Sequence, residues 1–156
     1  MRSLKGLLMA AVALVLVSCS MSAKSEKNET GNKSEQGEVI TLNKADFLSK
    51  VYNYEKNQTQ WVYEGSKPAI IDFYAEWCGP CKRISPILQE LAVQYKNDIV
   101  IYKLNVDNEK ELASAFGIQS IPTLLFIPKT GKPQIAQGAL SKEQFVEQIN
   151  NFLLKK

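Results

Sequence analysis

Cys78 and Cys81, with only Gly79 and Pro80 between them, could act together as a dithiol that closes to a disulfide and reopens. The run that carries them is Ile70-Ile71-Asp72-Phe73-Tyr74-Ala75-Glu76-Trp77-Cys78-Gly79-Pro80-Cys81-Lys82. Ile70 to Tyr74 is apolar or aromatic on both faces except at Asp72, a pattern that suits a strand covered on both sides. After Cys78 the apolar residues recur at helical spacing through Ile84, Ile87, Leu88, Leu91, Ala92 and Tyr95. The spacing therefore predicts Cys78 at the first turn of a helix, where unpaired backbone N–H groups and the helix dipole favour an anion. A thiolate is stabilised there relative to the thiol, and the sulfur becomes reactive near neutral pH. Cys81 falls one turn further on, on the same side, close enough to close a disulfide. Gly79 lets the backbone approach closely, and Pro80 fits the first helical turn.

Other chemistries meet the inventory badly. A four-ligand zinc site needs further Cys or His, and the chain has three Cys and no His. A purely structural disulfide closing so short a loop removes little chain entropy. Without His, Ser-His-Asp and Cys-His mechanisms are excluded, and Cys78 has no imidazole neighbour to favour its thiolate. The chain has 156 residues, 45% hydrophobic and 22% charged, which fits one globular domain plus an appendage. Its net charge is +3, and this falls to +1 without Arg2 and Lys5 of the leader described below, so nothing points to nucleic acid.

Tyr74-Ala75-Glu76-Trp77-Cys78-Gly79-Pro80-Cys81-Lys82 resembles the WAEWCGPCK signature of the thioredoxin family, and further family marks follow in order from Val39 to the C-terminus. The resemblance implies an α/β thioredoxin fold, a central mixed β-sheet flanked by helices, with the site at the carboxyl end of a strand. It implies a protein-disulfide reductase needing no cofactor and no metal, in which an exposed Cys78 is the nucleophile and a largely buried Cys81 resolves the mixed disulfide. Asp72 matches the acid behind the second cysteine, a proton acceptor acting through water; buried and alone, it should be neutral or paired. Lys103 stands where the family carries that acid's partner, and read by itself it is equally a surface lysine. The resemblance implies that Trp77, Gly79 and Pro80 help bind the substrate beside the cysteines. Ile121 and Pro122 match the family's cis peptide bond facing the cysteines, where the Ile121 backbone would pair with an extended substrate by strand addition. Gly138 matches a glycine of the same groove, or is an ordinary turn glycine. Tyr74 departs from the common Trp, which would alter hydrogen bonding around the site.

Upstream, residues 1–18 have a basic start and an apolar run from Leu7 to Val17, the layout of a secretory signal peptide. Leu16-Val17-Ser18-Cys19 resembles a bacterial lipobox, which implies cleavage before Cys19 and acylation of Cys19; the alternative is an ordinary signal peptide and a soluble periplasmic protein. Residues 19–37 are then the lipidated Cys and a flexible tether rich in Ser, Lys, Glu, Asn and Gly. Residues 38–156 are the thioredoxin domain. On this reading the protein is a monomer held by lipid on the periplasmic side of the cell envelope. Its partners are disulfide-containing proteins and an electron-donating thiol or membrane reductase.

Within the domain, Val39–Leu42 reads as a first strand, and Asn43 caps a helix with Phe47, Leu48 and Val51 on its apolar face. Asn53–Lys67 is longer than the family usually allows, an elaborated loop or a substrate-recognition element; Trp61-Val62-Tyr63 would add a strand or pack under the first helix. The cysteine helix runs to about Tyr95 and is kinked at Pro86. Ile99–Leu104 reads as a strand, Glu109–Phe116 as a helix ended by Gly117, and Thr123–Ile127 with Gln134–Gln137 as a hairpin around Lys129-Thr130-Gly131. Ser141 and Gln144 form a capping box before a last helix whose inner face carries Phe145, Ile149, Phe152 and Leu153.

Two readings compete with the reductase. One is a disulfide oxidase or isomerase, favoured by an oxidising exported compartment; Gly79-Pro80 and the lack of a His between the cysteines favour the reductant. The other is a binding module that uses the same fold without redox turnover.

Overall fold

The structure of the protein, a computed structural model, describes residues 37–156. The leader, Cys19 and all but the last residue of the tether lie outside the described residues. The elements run β1 (Ile40–Thr41), α1 (Lys44–Lys50), β2 (Ala69–Tyr74), α2 (Gly79–Gln94), β3 (Val100–Asn105), α3 (Lys110–Ala115), β4 (Thr123–Ile127), β5 (Gln134–Gln137) and α4 (Lys142–Glu147).

The strands form a five-stranded mixed sheet in the order β1-β3-β2-β4-β5. β1, β3 and β2 are parallel, and β4 and β5 continue antiparallel. β2 is central, as its apolar run predicts, and alternate residues supply both faces. Ile71 and Phe73 join Phe47, Val51, Leu104 and Leu112 beneath α1 and α3. Ile70 joins Ile84, Leu88, Leu91, Phe126, Phe145 and Ile149 beneath α2 and α4. This is the expected thioredoxin architecture, two helices on each side of one sheet.

Local rules account for most boundaries. The Asn43 side chain accepts the Asp46 backbone N–H at 2.8 Å and starts α1. Ser141 and Gln144 form the reciprocal capping box of α4. Gly117, at φ +62°, ends the α3 turn in a conformation that favours glycine.

Three expectations are corrected. β1 is only two residues long, because only Ile40 and Thr41 have partners on β3. The strand reading of Trp61-Val62-Tyr63 gives way to its packing alternative: Trp61 and Tyr63 lie against the core that holds Phe47 and Val51, Trp61 tilts against Tyr52 with ring centroids 4.4 Å apart, and the Glu64 N–H reaches the Val51 carbonyl at 2.9 Å. The last helix widens after Glu147 into a π-helical stretch, Gln148–Leu153, which periodicity at 3.6 residues could not reveal. Phe145, Ile149 and Leu153 are buried as expected, whereas Phe152 is only half-buried.

Phe47 is fully buried and meets Phe116 edge to face, with ring centroids 5.0 Å apart. Phe47→Ala should cost ~3–5 kcal/mol in urea unfolding, against ~1 kcal/mol for Asn43→Ala at the exposed cap. Equal losses would contradict this ranking of core over cap.

Candidate functional site

β2 ends at Tyr74, and the chain turns through Ala75, Glu76 and Trp77 before α2 begins at Gly79. Cys78 is the N-cap of α2, and its Sγ accepts the Cys81 backbone N–H at 3.2 Å. The sulfur thus occupies the position where capping side chains usually place an oxygen, at the positive end of a 16-residue helix. Pro80 lies in the first turn, where its missing N–H leaves no bond unmade. Cys78 and Cys81 are joined as a disulfide.

The expectation of an exposed Cys78 beside a buried Cys81 is corrected: both are only 3% exposed. Ala75 packs with the two cysteines, and Tyr74, Val106 and Ile121 close over them. The exposed member of the group is Trp77, at 70%. Its indole N–H donates to Asp107 Oδ2 at 2.9 Å, which fixes the ring as one wall of a shallow groove. Val106, Ile118, Gln119, Ser120 and Ile121 complete a groove of about 150 Å³.

The Ile121–Pro122 bond is cis, as the resemblance implied, and brings Ile121 against the cysteines. Among the described residues no backbone group pairs with the Ile121 main chain. Gly138, at φ +90°, donates its N–H to the Pro122 carbonyl at 2.8 Å, so it lies directly behind the same corner. Gly79 is exposed at the start of α2, and a Cβ there would meet nothing within 4 Å.

Behind Cys81 lies a cavity of about 120 Å³, lined by Asp72, Tyr74, Ala75, Glu76, Cys81, Lys82, Ser85 and Lys103. Asp72 and Cys81 share its walls, and it has room for water. Asp72 is buried, its Oδ1 has no hydrogen-bond partner among the described residues, and burial pushes its carboxyl up to about 7 against a smaller opposing pull from Lys103. The expected pairing of Lys103 with Asp72 is not made: the ammonium stands over the Tyr74 ring, 5.6 Å from its centroid.

Of the residues expected at the site, the fold places Asp72 and Cys81 on one cavity and Ile121, bonded to the cis Pro122, against the two cysteines. Sequence reasoning missed Asp107 as the partner of Trp77, Val106 and Ile118–Ser120 as groove walls, and Glu76 as a cavity wall. Asp107 carried a signal only as a loop residue ahead of α3, since its contact spans 30 positions.

The model of the thioredoxin family matches residues 38–151. The chain belongs to the thioredoxin family. It is a thioredoxin-type protein-disulfide reductase, with Cys78 and Cys81 as its active-site pair. It is 49% identical over 114 residues to a thioredoxin of Borreliella burgdorferi, covering 73% of this chain and 97% of that protein. It is 42% identical over 117 residues to a thioredoxin of Haemophilus influenzae, covering 74% of this chain and 98% of that one. A chloroplastic M-type thioredoxin of Spinacia oleracea is 39% identical over 100 residues, 62% of this chain and 55% of the plant protein.

Asp72 makes stability depend on pH. Its ordinary value is 3.8 and its folded value about 7, so between these the folded chain binds the extra proton. Stability therefore falls as pH rises from about 4 to about 7 and stays reduced above. In urea unfolding of the oxidised protein, Asp72→Ala should gain more at pH 8 than at pH 4, by on the order of 3 kcal/mol. A parent stability that is flat across this interval would contradict a buried, proton-retaining Asp72.

Proposed function

We propose that the protein works as an envelope-tethered reductase, in which Cys78 attacks, Cys81 resolves and Asp72 accepts the proton of Cys81. The observation that carries this reading is the Cys78 sulfur at the head of α2, accepting the Cys81 N–H at 3.2 Å. In the reduced protein the same donor and the helix dipole favour a Cys78 thiolate. The thiolate attacks one sulfur of a substrate disulfide, forming a mixed disulfide and releasing the other sulfur as a thiolate, which takes a proton from solvent. Cys81 then passes its proton through the cavity to Asp72 and attacks Cys78 Sγ. The Cys78–Cys81 disulfide forms, and the second substrate sulfur leaves as a thiolate with the electron pair of the mixed disulfide and takes its proton from solvent, to which Asp72 returns the proton of Cys81. Two electrons and two protons reach the substrate, and a dithiol donor or a membrane reductase must restore the pair.

Three arrangements support roles for the neighbouring residues. The Ile121 main chain, unpaired among the described residues, stands beside the cis Pro122 and offers backbone groups to an extended substrate, with Gly138 behind it. The Trp77 ring gives an apolar wall, and Gly79 leaves the approach to Cys78 open. Lys103 acts on Asp72 through its field rather than by contact.

The envelope location rests on residues 1–37: the basic start, the apolar run and the lipobox-like Leu16-Val17-Ser18-Cys19. The family match begins at residue 38, so residues 1–37 lie outside it. Cys19 would carry the lipid.

In an insulin-reduction assay Cys78→Ser should abolish turnover, and Cys81→Ala should accumulate mixed disulfides with envelope proteins. Reduced Cys78 should be alkylated at pH 7 several times faster than free cysteine. Retained turnover in Cys78→Ser would favour a binding module, and a reduction potential near that of strong oxidants would favour the oxidase reading. Cys19→Ser should move the protein from the membrane to the soluble fraction; an unchanged membrane fraction would overturn acylation.

A further inference from the structure

Asp72 and Lys103 lie opposite one another in the parallel register of β2 and β3, so their side chains leave the sheet on one face. That register allows an ion pair, yet among the described residues Asp72 Oδ1 has no partner, and the Lys103 ammonium stands 5.6 Å from the centroid of Tyr74. Tyr74 follows Asp72 by two positions in β2, so it shares that face. All three side chains line the cavity that reaches Cys81.

We propose that Tyr74 is a positioning residue for the resolving step: its ring holds the Lys103 ammonium at the mouth of the cavity and away from Asp72. An aromatic face attracts an ammonium by ~0.5–2 kcal/mol, more where water is thin. An ammonium released from the ring and set against the carboxylate would stabilise the charged form and weaken Asp72 as a base. A base serves best when its titration lies near the working pH. The raised titration of Asp72, governed by burial and only partly offset by Lys103, fits a lysine kept at a distance.

The other charged and titratable groups facing this cavity are Glu76, from the loop after β2, and Lys82 and Cys81, from α2. On the other side of Asp72 its sheet neighbour is Leu124 of β4, which carries no charge. The Tyr74 phenol lies near Glu76 and Asn105 and is only half-buried, so its ring forms the outer wall of the cavity. The aromatic type at position 74 thus sets how far Lys103 acts on Asp72. The inference rests on Asp72 being the proton acceptor of the resolving step.

The test follows the Asp72 carboxyl by infrared or NMR titration in the oxidised full chain, which is independent of any catalytic role, alongside the pH profile of mixed-disulfide breakdown. Tyr74→Leu should lower the Asp72 midpoint by about half a unit, roughly a threefold loss of proton affinity. Lys103→Met should raise it. Tyr74→Leu combined with Lys103→Met should titrate like Lys103→Met alone, because the ring acts only through the ammonium. Tyr74→Phe, which keeps the ring, should titrate like the parent and guards against a misfolded leucine variant. An unchanged or raised midpoint in Tyr74→Leu overturns the proposal. So does a downward shift of the same size in the Lys103→Met background, which would mean that the ring merely shields Asp72 from water. If the midpoint moves as expected but the pH profile of breakdown does not follow, Asp72 is not the proton acceptor and the role of Tyr74 in catalysis falls with it.

Discussion

The bond between the Cys81 N–H and the Cys78 sulfur sets the terms for the rest of the molecule. It exists only because a strand buried on both faces delivers the chain to the first turn of a long helix. β2 can be central because its apolar residues serve both core layers, and α2 is held against the sheet by Ile84, Leu88 and Leu91. Moving the start of α2 by one residue would turn the sulfur away from the helix axis and remove its donor. The sheet and helices therefore act as a mount for one sulfur atom, and the two faces of β2 explain why so small a domain can hold that mount rigidly.

The same strand carries the main destabilising feature of the core. Asp72 interrupts an otherwise apolar run and sits buried, with no partner for Oδ1 among the described residues. A carboxyl in that place is unfavourable when charged, and proteins keep such strain where it does something. Here it lines the same small cavity as Cys81. The groups around it, Lys103, Tyr74, Glu76 and Lys82, come from β3, β2, the loop after β2 and α2, so the electrostatics of the site are a property of four segments at once.

The long connection from Asn53 to Lys67 serves a different part of the molecule. Its Tyr54 and Trp61, with Tyr52, line an apolar groove of about 330 Å³ against Phe116, Leu125 and Ile135. None of these residues lines the cavity behind Cys81 or the groove beside Trp77. The insertion covers the α1 and α3 side of the sheet, and its aromatic packing accounts for its length. That placement argues for the elaborated-loop reading and against direct contact with a substrate at the cysteines.

Local patterns in the sequence determined the helix and strand order, the caps at Asn43 and Ser141, the central place of β2 and the cysteine pair at the head of α2. Each rests on neighbours within a few residues: apolar period, capping oxygen, glycine at a turn. The cis bond before Pro122 came from family likeness, since a single X–Pro step favours trans. Only the tertiary structure decided that Cys78 is covered by Tyr74, Val106 and Ile121, that Trp77 is tied to Asp107, and that Lys103 turns to Tyr74 rather than Asp72. These contacts join distant stretches of chain, and which of two available partners an ammonium takes depends on the three-dimensional placement of both. The π-helical end of the last helix was hidden for a related reason: its apolar residues also satisfy an ordinary helical period, and only the hydrogen-bond geometry tells the two apart.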